Sequence, residues 1–383
     1  MPLERRAPAL RVTRAGLSRG AGASPSGPSG WVPNLRPGIR PGRRAGAAAE
    51  GVQRRAGAGL FGGAALRLPF PGPCGILGPV ENVTVTQLTD RLLASYAQVG
   101  GINHLDGKNL PSKTAIASIT SDLLRLLFPG FFDHRPIHSS ELKVETATVM
   151  DAVWERLEDE IYKSLEYAPP PEVTKKELRA MARSVTGNFL ASLPRVRELL
   201  QTDVESAYNG DPAALTREEV IVAYPFIEAI AVQRLAHELY RKRVTLIPRI
   251  MTEWAHSRTG MDLHPGAQIG THFFVDHCTG TVVGETTLIG NHVKMYQGVG
   301  LVARSLSGGQ LLRGQKRHPT IEDHVTIYAG ATIMGGDTVV GEGSTIGANV
   351  FLTHSVPANS LVIYEDVQVK VLNKLARPVD FQI

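Results

Sequence analysis

A histidine and an aspartate near the middle of the chain are suited to acid–base chemistry. His277 can serve as a general base toward a hydroxyl group, because imidazole titrates near neutral pH. Asp262 lies fifteen positions earlier, and a carboxylate beside an imidazole fixes its tautomer and stabilises its cation. We therefore predict a catalytic pair of His277 and Asp262 if the fold brings them together. The alternative for His277 is a structural histidine in a turn.

A six-residue repeat surrounds this pair and predicts how the chain folds there. Between Met261 and Leu352 aliphatic residues recur every six positions, which fits neither a helix nor a simple strand alternation. Hexapeptide repeats indicate a parallel β-helix, a coil of three short strands per turn. A turn takes about eighteen residues, so Asp262 and His277 are expected to face each other across adjacent coils. The phase slips near Gly280 and near Val339, where we expect corners with extra residues. The repeating residues are Leu263, Ile269, Val275, Val283, Ile289, Met295, Leu301, Ile321, Ile327, Ile333, Val340, Ile346 and Leu352.

The region before the repeat has the pattern of a helical domain. Apolar residues recur there at three- and four-residue spacing, and proline- and glycine-containing breaks separate the segments. The predicted fold class is therefore α+β, with an N-terminal α-helical domain at 80–258 followed by a left-handed parallel β-helix of hexapeptide repeats at 259–360. A loop is inserted into the β-helix at 303–317, and a C-terminal tail occupies 361–383.

Residues 1–79 differ from the rest of the chain in composition. The stretch from Met1 to Gly75 has twelve Arg, two Glu and no Lys, so it carries +10 and leaves −5 for the remainder of a chain whose formal charge is +5. It has too few large apolar residues to form a core, and we expect it to be unstructured. It is interpreted as a dispensable or wrongly assigned start, with an organelle transit segment or a weak polyanion-binding arm as alternatives.

Charge, cysteine content and hydropathy limit the class of protein. Because the positive charge is confined to the N-terminal stretch, nothing predicts a nucleic-acid partner. No apolar run reaches the length of a membrane span. The only cysteines are Cys74 and Cys278, so no disulfide framework is expected, and a reducing compartment is favoured. We expect a cytoplasmic protein, or one of an organelle stroma or matrix if residues 1–79 are a transit peptide.

Five sequence motifs carry a family resemblance that runs from about residue 80 to about residue 355. In order they are DPAA, DLHPGAQIG, VDHCTGTVVGET, KRHPTI and YAGATI. The chain resembles the serine O-acetyltransferases, in particular the subgroup with an enlarged N-terminal helical domain. The resemblance implies transfer of an acetyl group from acetyl-CoA to the hydroxyl of L-serine, which gives O-acetyl-L-serine and CoA in the first step of cysteine biosynthesis. It also implies that His277 and Asp262 form the catalytic dyad.

The same resemblance implies a site for the serine zwitterion. Asp211 and Asp276 would bind the amino group, while Arg317 and His318 would bind the carboxylate. The last assignment is physically sensible, because guanidinium and imidazolium groups donate readily to carboxylates. The alternatives are that Asp211 caps a turn, that Arg317 is a solvated loop charge, and that His318 only shapes its loop.

Acetyl-CoA in this family lies between two β-helices of a trimer. The resemblance therefore implies a homotrimer or a dimer of trimers, with acetyl-CoA held by backbone groups beside Ala329 and Ala348. Ala303 is a further candidate, but it lies in a Val-Ala-Arg-Ser segment at 302–305, where many members have a glycine-rich segment. No metal is expected.

Other functions remain as alternatives to serine acetyl transfer. One is a zinc lyase on the same fold, with His272, His277 and His292 as ligands between subunits; the others are a non-catalytic scaffold and transfer to a different acyl acceptor. A Cys-His nucleophile is rejected, because neighbours on a regular strand point to opposite faces. Cys278 is instead predicted to be a small buried apolar residue.

The last residue predicts a protein partner. Serine acetyltransferases commonly insert a C-terminal isoleucine into the active site of O-acetylserine sulfhydrylase, and this chain ends at Ile383. A free carboxylate and an aliphatic side chain suit such a pocket, although the tail could also pack onto the β-helix.

Overall fold

The computed structural model describes residues 83–133 and 135–365. The described residues from Leu88 onward form one compact unit, and those before Leu88 belong to a separate one. The expectations for residues 1–79 and for Ile383 concern parts of the chain outside the described residues. Among the described residues no single helix is long and apolar enough to span a membrane, and only one bent pair, Arg217–Ala223 with Pro225–Arg241, reaches that composition.

Eight α-helices and a short 3₁₀ turn at Gly100–Ile102 precede the first strand of the described chain. Two of the helix starts follow directly from the sequence. Thr174 and Glu177 form a reciprocal capping box at the start of α4, and Pro194 stands in the first turn of α5, where proline is well tolerated. The helices are α1 Val85–Gln98, α2 Lys113–Leu127, α3 Leu142–Tyr167, α4 Lys175–Leu190, α5 Leu193–Gly210, α6 Arg217–Ala223, α7 Pro225–Arg241 and α8 Ile247–Thr259.

One stretch that reads as continuous helix in the sequence is broken. The apolar pattern from Arg217 to Arg241 predicts a single helix, but α6 ends at Ala223 and α7 begins at Pro225. Proline lacks the N–H that would continue the helix, and it disfavours helical backbone at the residue before it. Tyr224 therefore adopts an extended conformation (φ −82°, ψ 120°) between the two helices.

Fourteen short strands follow and build the β-helix predicted from the six-residue repeat. They stack into three parallel sheets, and the repeating aliphatic residue is the inward-facing second residue of most strands, buried in nearly every case. Sheet A contains β1 Asp262–Leu263, β4 Val282–Val283, β7 Gly300–Val302, β10 Thr332–Met334 and β13 Phe351–Leu352; sheet B contains β2 Gln268–Ile269, β5 Leu288–Ile289, β8 Thr320–Ile321 and β11 Val339–Val340; sheet C contains β3 Phe274–Val275, β6 Lys294–Met295, β9 Thr326–Ile327, β12 Thr345–Ile346 and β14 Leu361–Val362.

The strand register explains the two phase slips. Asp262 pairs with Val282, twenty positions later, whereas the next turn, from Val282 to Gly300, takes eighteen. The two extra residues lie in the corner before β4. Near the second slip Thr332 pairs with Phe351, nineteen positions later. Extra corner residues thus accompany both slips.

The β-helix extends beyond its expected end at residue 360. Leu361 and Val362 form β14, which pairs with Thr345 and Ile346 of β12. The boundary was missed because Ile346 and Val362 are sixteen positions apart, so the six-residue phase no longer marks the strand.

A buried ion pair joins the helices to the first coil. Arg234 of α7 and Asp203 of α5 form a bidentate pair with N–O distances of 2.7 and 2.8 Å. Arg234 also donates to the carbonyl oxygens of Ile269 and Gly270, and Asp203 accepts the N–H of Phe273. These contacts satisfy the buried charges and fix the end of α5 against the β-helix.

Candidate active site

His277 lies at the corner where sheet C passes into sheet A, which we call corner C–A. It follows β3, has left-handed backbone (φ 61°), and its side chain is 70% exposed. The register of sheet C puts Gln297, Ala329 and Ala348 at the equivalent position of the next three coils. The predicted base and two predicted acetyl-CoA positions thus lie along one edge of the β-helix.

Cys278 is buried, as predicted, but the argument against a Cys-His nucleophile changes. His277 and Cys278 both have left-handed backbone and lie in a corner rather than in a regular strand, so the strand argument does not apply. The thiol is 1% exposed, its sulfur lies 3.7 Å from the carbonyl oxygen of Val275, and burial raises its pKa to about 12. A protonated, buried thiol is a poor nucleophile.

Asp211 and Asp276 lie beside His277. Oδ1 of Asp276 is 3.6 Å from Nδ1 of His277. Oδ2 of Asp211 accepts a hydrogen bond of 2.5 Å from the hydroxyl of Tyr224, and Oδ1 accepts the N–H of Ala213 at 2.9 Å. These two bonds, assisted by the nearby charge of Lys294 and of His277 when protonated, lower the pKa of Asp211. Asp211 therefore caps a turn and also presents a carboxylate at corner C–A.

Asp262 lies next to this corner without bonding to His277. Its N–H donates to the carbonyl oxygen of Thr281 at 2.9 Å, so β1 begins beside the end of the corner. Its carboxylate is 3.4 Å from Nη1 of Arg249, whose Nη2 is 2.6 Å from Glu253. The Asp262–His277 dyad therefore stays a prediction.

Possible metal ligands are distributed as follows among the described residues. Within 83–133 and 135–365, Glu253, His256 and Asp262 are the one group of three whose ligand atoms lie within 4.8 Å of one another. The guanidinium of Arg249 already serves as the cation there. His272 and His292 stack at 4.1 Å on the corner between sheets B and C. His277 is on a different corner, so the histidines of the zinc alternative do not form one ligand set within this chain.

His318 lies at the corner between sheets A and B, which we call corner A–B. The hydroxyl of Thr286 accepts the N–H groups of Arg317 and His318 at 2.9 and 3.1 Å. Its hydrogen is then free for Nδ1 of His318 at 2.9 Å, and the N–H of Thr286 donates to the same nitrogen at 3.1 Å. Nδ1 is therefore an acceptor, and the proton of the neutral ring is on Nε2.

The environment of His318 favours this neutral form. Burial, followed by the charge of Arg317, lowers its pKa to about 4. A Cβ on Gly284 would come within 2.0 Å of Cδ2 of the ring, so only glycine fits there. The expectation of an imidazolium donor is therefore corrected: His318 is neutral and donates through Nε2–H.

Arg317 is held by an acidic partner rather than solvated in its loop. One guanidinium nitrogen pairs with Oε2 of Glu285, and the hydroxyl of Tyr240 donates to Oε1 at 2.7 Å. Burial opposes ionisation of Glu285, but the bonds from Tyr240 and Arg317 outweigh it and lower the pKa of that carboxyl. Ala303, the third predicted acetyl-CoA position, follows β7 at this corner.

The predicted site residues form two separate groups in one chain. Asp211, Asp276 and His277 gather at corner C–A, before β4, while Arg317 and His318 gather at corner A–B, after β4. The strands of sheet A separate the two groups. Within one chain, the anionic half and the cationic half of the predicted serine site therefore face different directions.

Sequence reasoning missed several residues that support the site. Glu285 and Thr286 were present in the quoted VVGET motif, but the inserted loop separates them from Arg317 in sequence. Tyr224 was missed because the segment that contains it was interpreted as one continuous helix. A polar residue directly before Pro225 was the one available indication.

We expect acid to destabilise the fold through His318. Because the pKa of His318 is lowered to about 4 in the fold, the unfolded chain binds the proton more tightly. The contribution of neutral His318 to the free energy of unfolding is therefore fully present above about pH 6.5. It is lost as the pH drops toward 4, which lowers the free energy of unfolding by at most about 3 kcal/mol. Urea unfolding at pH 7.5 and pH 5 should give a smaller difference for His318→Gln than for the wild type. The exposed His354→Gln serves as control, and an equal difference in all three proteins would contradict the assignment.

Comparison with known proteins finds one enzyme family. The chain is 45% identical over 265 residues to the plasmid serine acetyltransferase of Synechococcus elongatus, which covers 66% of this chain and 81% of that protein. It is 42% identical over 187 residues to the serine acetyltransferase of Bacillus licheniformis, which covers 48% of this chain and 83% of the other. No protein-family model matches the chain.

Solved structures give the same result. Serine acetyltransferase 1 of Entamoeba histolytica in complex with L-cysteine has a TM-score of 0.56 and 32% identity, covering 66% of this chain and 99% of that one. Isoform 3 from the same organism, in complex with cysteine, has a TM-score of 0.58 and 33% identity, covering 76% and 96%.

Proposed function

Because this chain belongs to the serine acetyltransferase family, it transfers an acetyl group from acetyl-CoA to the hydroxyl of L-serine, and we propose that each site is shared between two copies of the chain. The products are O-acetyl-L-serine and CoA, and the reaction is the first step from serine toward cysteine. The roles of individual residues of this chain in binding serine and transferring the proton are proposed below.

The separation of corners C–A and A–B supports a shared site. Serine needs partners for its ammonium and its carboxylate in one place, yet Asp211 and Asp276 lie at one corner and Arg317 and His318 at the other. When one surface of a subunit contacts a different surface of the next, the contact is heterologous, and such contacts form a ring when the rotation between subunits closes. A ring of three would bring corner C–A of each copy against corner A–B of its neighbour.

Each group then has a defined role in binding serine. The carboxylates of Asp211 and Asp276 accept hydrogen bonds from the ammonium group. The guanidinium of Arg317 and the Nε2–H of His318 from the neighbouring copy donate to the serine carboxylate. These contacts leave the serine hydroxyl directed toward His277.

His277 acts as the base for acetyl transfer. Its imidazole takes the hydroxyl proton while the serine oxygen attacks the thioester carbonyl, giving a tetrahedral intermediate and an imidazolium. Asp262 stabilises that cation. The intermediate then expels the CoA thiolate, which recovers the proton from His277, so both products leave and the base is regenerated.

The edge above His277 suits acetyl-CoA. Gln297, Ala329 and Ala348 continue the column, and three coil steps span about 14 Å, which an extended pantetheine arm can follow. The backbone N–H of Asn349 donates a hydrogen bond to the carbonyl oxygen of Ala329 at 2.9 Å. Small side chains at Ala329 and Ala348 leave the backbone accessible.

Acceptor specificity tests the proposal against transfer to another hydroxyl compound and against a non-catalytic scaffold. CoA thiol release should be measured with acetyl-CoA and L-serine, L-threonine, L-homoserine or glycerol. We expect serine to give the highest kcat/KM. No thiol release with any acceptor would favour a scaffold, and a higher kcat/KM for another acceptor would change the substrate assignment.

We also propose that Ile383 binds O-acetylserine sulfhydrylase. A free carboxylate with an aliphatic side chain can occupy a site built for an amino-acid product, and a few such groups must supply most of the affinity. Deleting Ile383 should abolish co-purification with the sulfhydrylase and leave acetyl transfer unchanged. Equal binding by the truncated and full-length chains would show that the partner binds elsewhere.

A further inference from the structure

Tyr224 contacts the amino-group acceptor of the proposed serine site. It stands between α6 and α7, and its hydroxyl oxygen lies 2.5 Å from Oδ2 of Asp211. The hydrogen bond to Asp211, together with burial, raises the pKa of Tyr224 to about 12. The phenol therefore remains protonated at neutral pH and acts as the donor.

The carboxylate of Asp211 keeps acceptor capacity for a ligand. Oδ1 accepts the N–H of Ala213 and Oδ2 accepts the hydroxyl of Tyr224. A carboxylate offers about four lone-pair positions, so two donors fix its plane and leave the rest unoccupied. Because hydrogen bonds to the charged form also favour ionisation, this carboxylate is ready to accept from an ammonium group.

The backbone before Asp211 is fixed from the β-helix side. Nζ of Lys294 donates to the carbonyl oxygen of Gly210 at 2.5 Å and lies 5.3 Å from the ring centre of Phe274. Gly210 approaches that ring so closely that a Cβ would lie 2.9 Å from Cδ1. With the main chain held in this way, the remaining freedom of Asp211 is the rotation of its side chain, which Tyr224 restrains.

We infer that Tyr224 is a positioning residue for serine, because its hydroxyl holds the Asp211 carboxylate in the direction from which it accepts the α-ammonium. The inference rests on the proposed function, in which Asp211 binds that ammonium. Tyr224 does not touch the substrate in this arrangement, since its one hydroxyl hydrogen is donated to Asp211. It acts on serine binding and not on proton transfer by His277.

Removing the hydroxyl alone tests this role. Tyr224→Phe should raise the serine KM roughly three- to tenfold, the scale of one hydrogen bond to a charged group. The acetyl-CoA KM, kcat and Tm should stay close to wild type. Tyr208→Phe is the matched control, because this half-buried tyrosine lies on α5 under the guanidinium of Arg217 and its hydroxyl makes no hydrogen bond within the described part of the chain.

A double-mutant cycle separates positioning from a general structural effect. In the Asp211→Asn background, Tyr224→Phe should leave the serine KM unchanged, because the group that it positions no longer carries the charge. The inhibition constant of 3-hydroxypropionate, which lacks the amino group, should be the same in wild type and Tyr224→Phe.

The possible outcomes distinguish the inference from the proposal beneath it. An equal rise in serine KM in both backgrounds would overturn the positioning role. So would an unchanged KM in Tyr224→Phe when Asp211→Asn raises it, and the serine site would then stand without Tyr224. If Asp211→Asn itself leaves the serine KM unchanged, both the amino-group assignment and the inference are wrong.

Discussion

Replacing His277 with alanine is expected to lower kcat by roughly 10²–10⁴, the usual effect of losing a general base. The hydroxyl of serine is a weak nucleophile, so attack on the thioester becomes slow when no group accepts its proton. The side chain is 70% exposed at corner C–A, and its removal leaves no cavity in the core. Thiol release under saturating serine and acetyl-CoA measures the loss directly.

Two further variants show whether the effect belongs to the base. Asp262→Asn should reduce kcat less than His277→Ala does, because it weakens the stabilisation of the imidazolium without removing the proton acceptor. His104→Ala, which removes an exposed histidine of the helical domain, should leave kcat unchanged. Near-normal turnover in purified, correctly assembled His277→Ala would refute the mechanism.

Replacing Arg317 with alanine is expected to raise the serine KM by roughly 10- to 100-fold, the scale of lost charge-assisted hydrogen bonds. Two effects add. The serine carboxylate loses its guanidinium donor, and Glu285 is left half-buried without its cation, close to the carboxylate. The acetyl-CoA KM should be spared, because a ground-state contact with serine alone is removed.

Arg313→Ala is the matched control for Arg317. Arg313 belongs to the same inserted loop, is exposed, and has no ion-pair partner among the described residues. Its replacement should leave the serine KM at the wild-type value. If Arg317→Ala leaves the serine KM unchanged as well, Arg317 does not bind the carboxylate.

The β-helix could be predicted from the sequence because its core has a regular period. Each inward position, from Leu263 to Ile346, repeats a simple packing requirement, and even the longer corner near Gly280 was visible as a shift of phase. The prediction failed at Val362, where a shorter turn of the coil removed the period. The break at Tyr224 was missed because apolar spacing continues across it, although Pro225 prevents a continuous helix.

The site was harder to predict, because its geometry depends on contacts between distant parts of the chain. The family motifs predicted roles for Arg317 and His318, but they could not show that Thr286 fixes the His318 tautomer. These hydrogen bonds form only when the end of the inserted loop, at Arg317 and His318, lies against the coil that contains Thr286. The division of the site between corners C–A and A–B likewise follows from the register of sheet A, which no local pattern contains.

A mixed assembly of two variants with complementary defects tests the shared site most directly. His277→Ala and Arg317→Ala chains carrying different affinity tags should be co-expressed and purified through both tags, and thiol release should be measured at serine concentrations far below the KM of Arg317→Ala. If each site combines His277 of one copy with Arg317 of its neighbour, a ring of three that contains both kinds of chain has about a third of its sites in wild-type composition. We predict activity well above that of either variant alone. Activity no greater than the average of the two separate variants would contradict a site shared between copies.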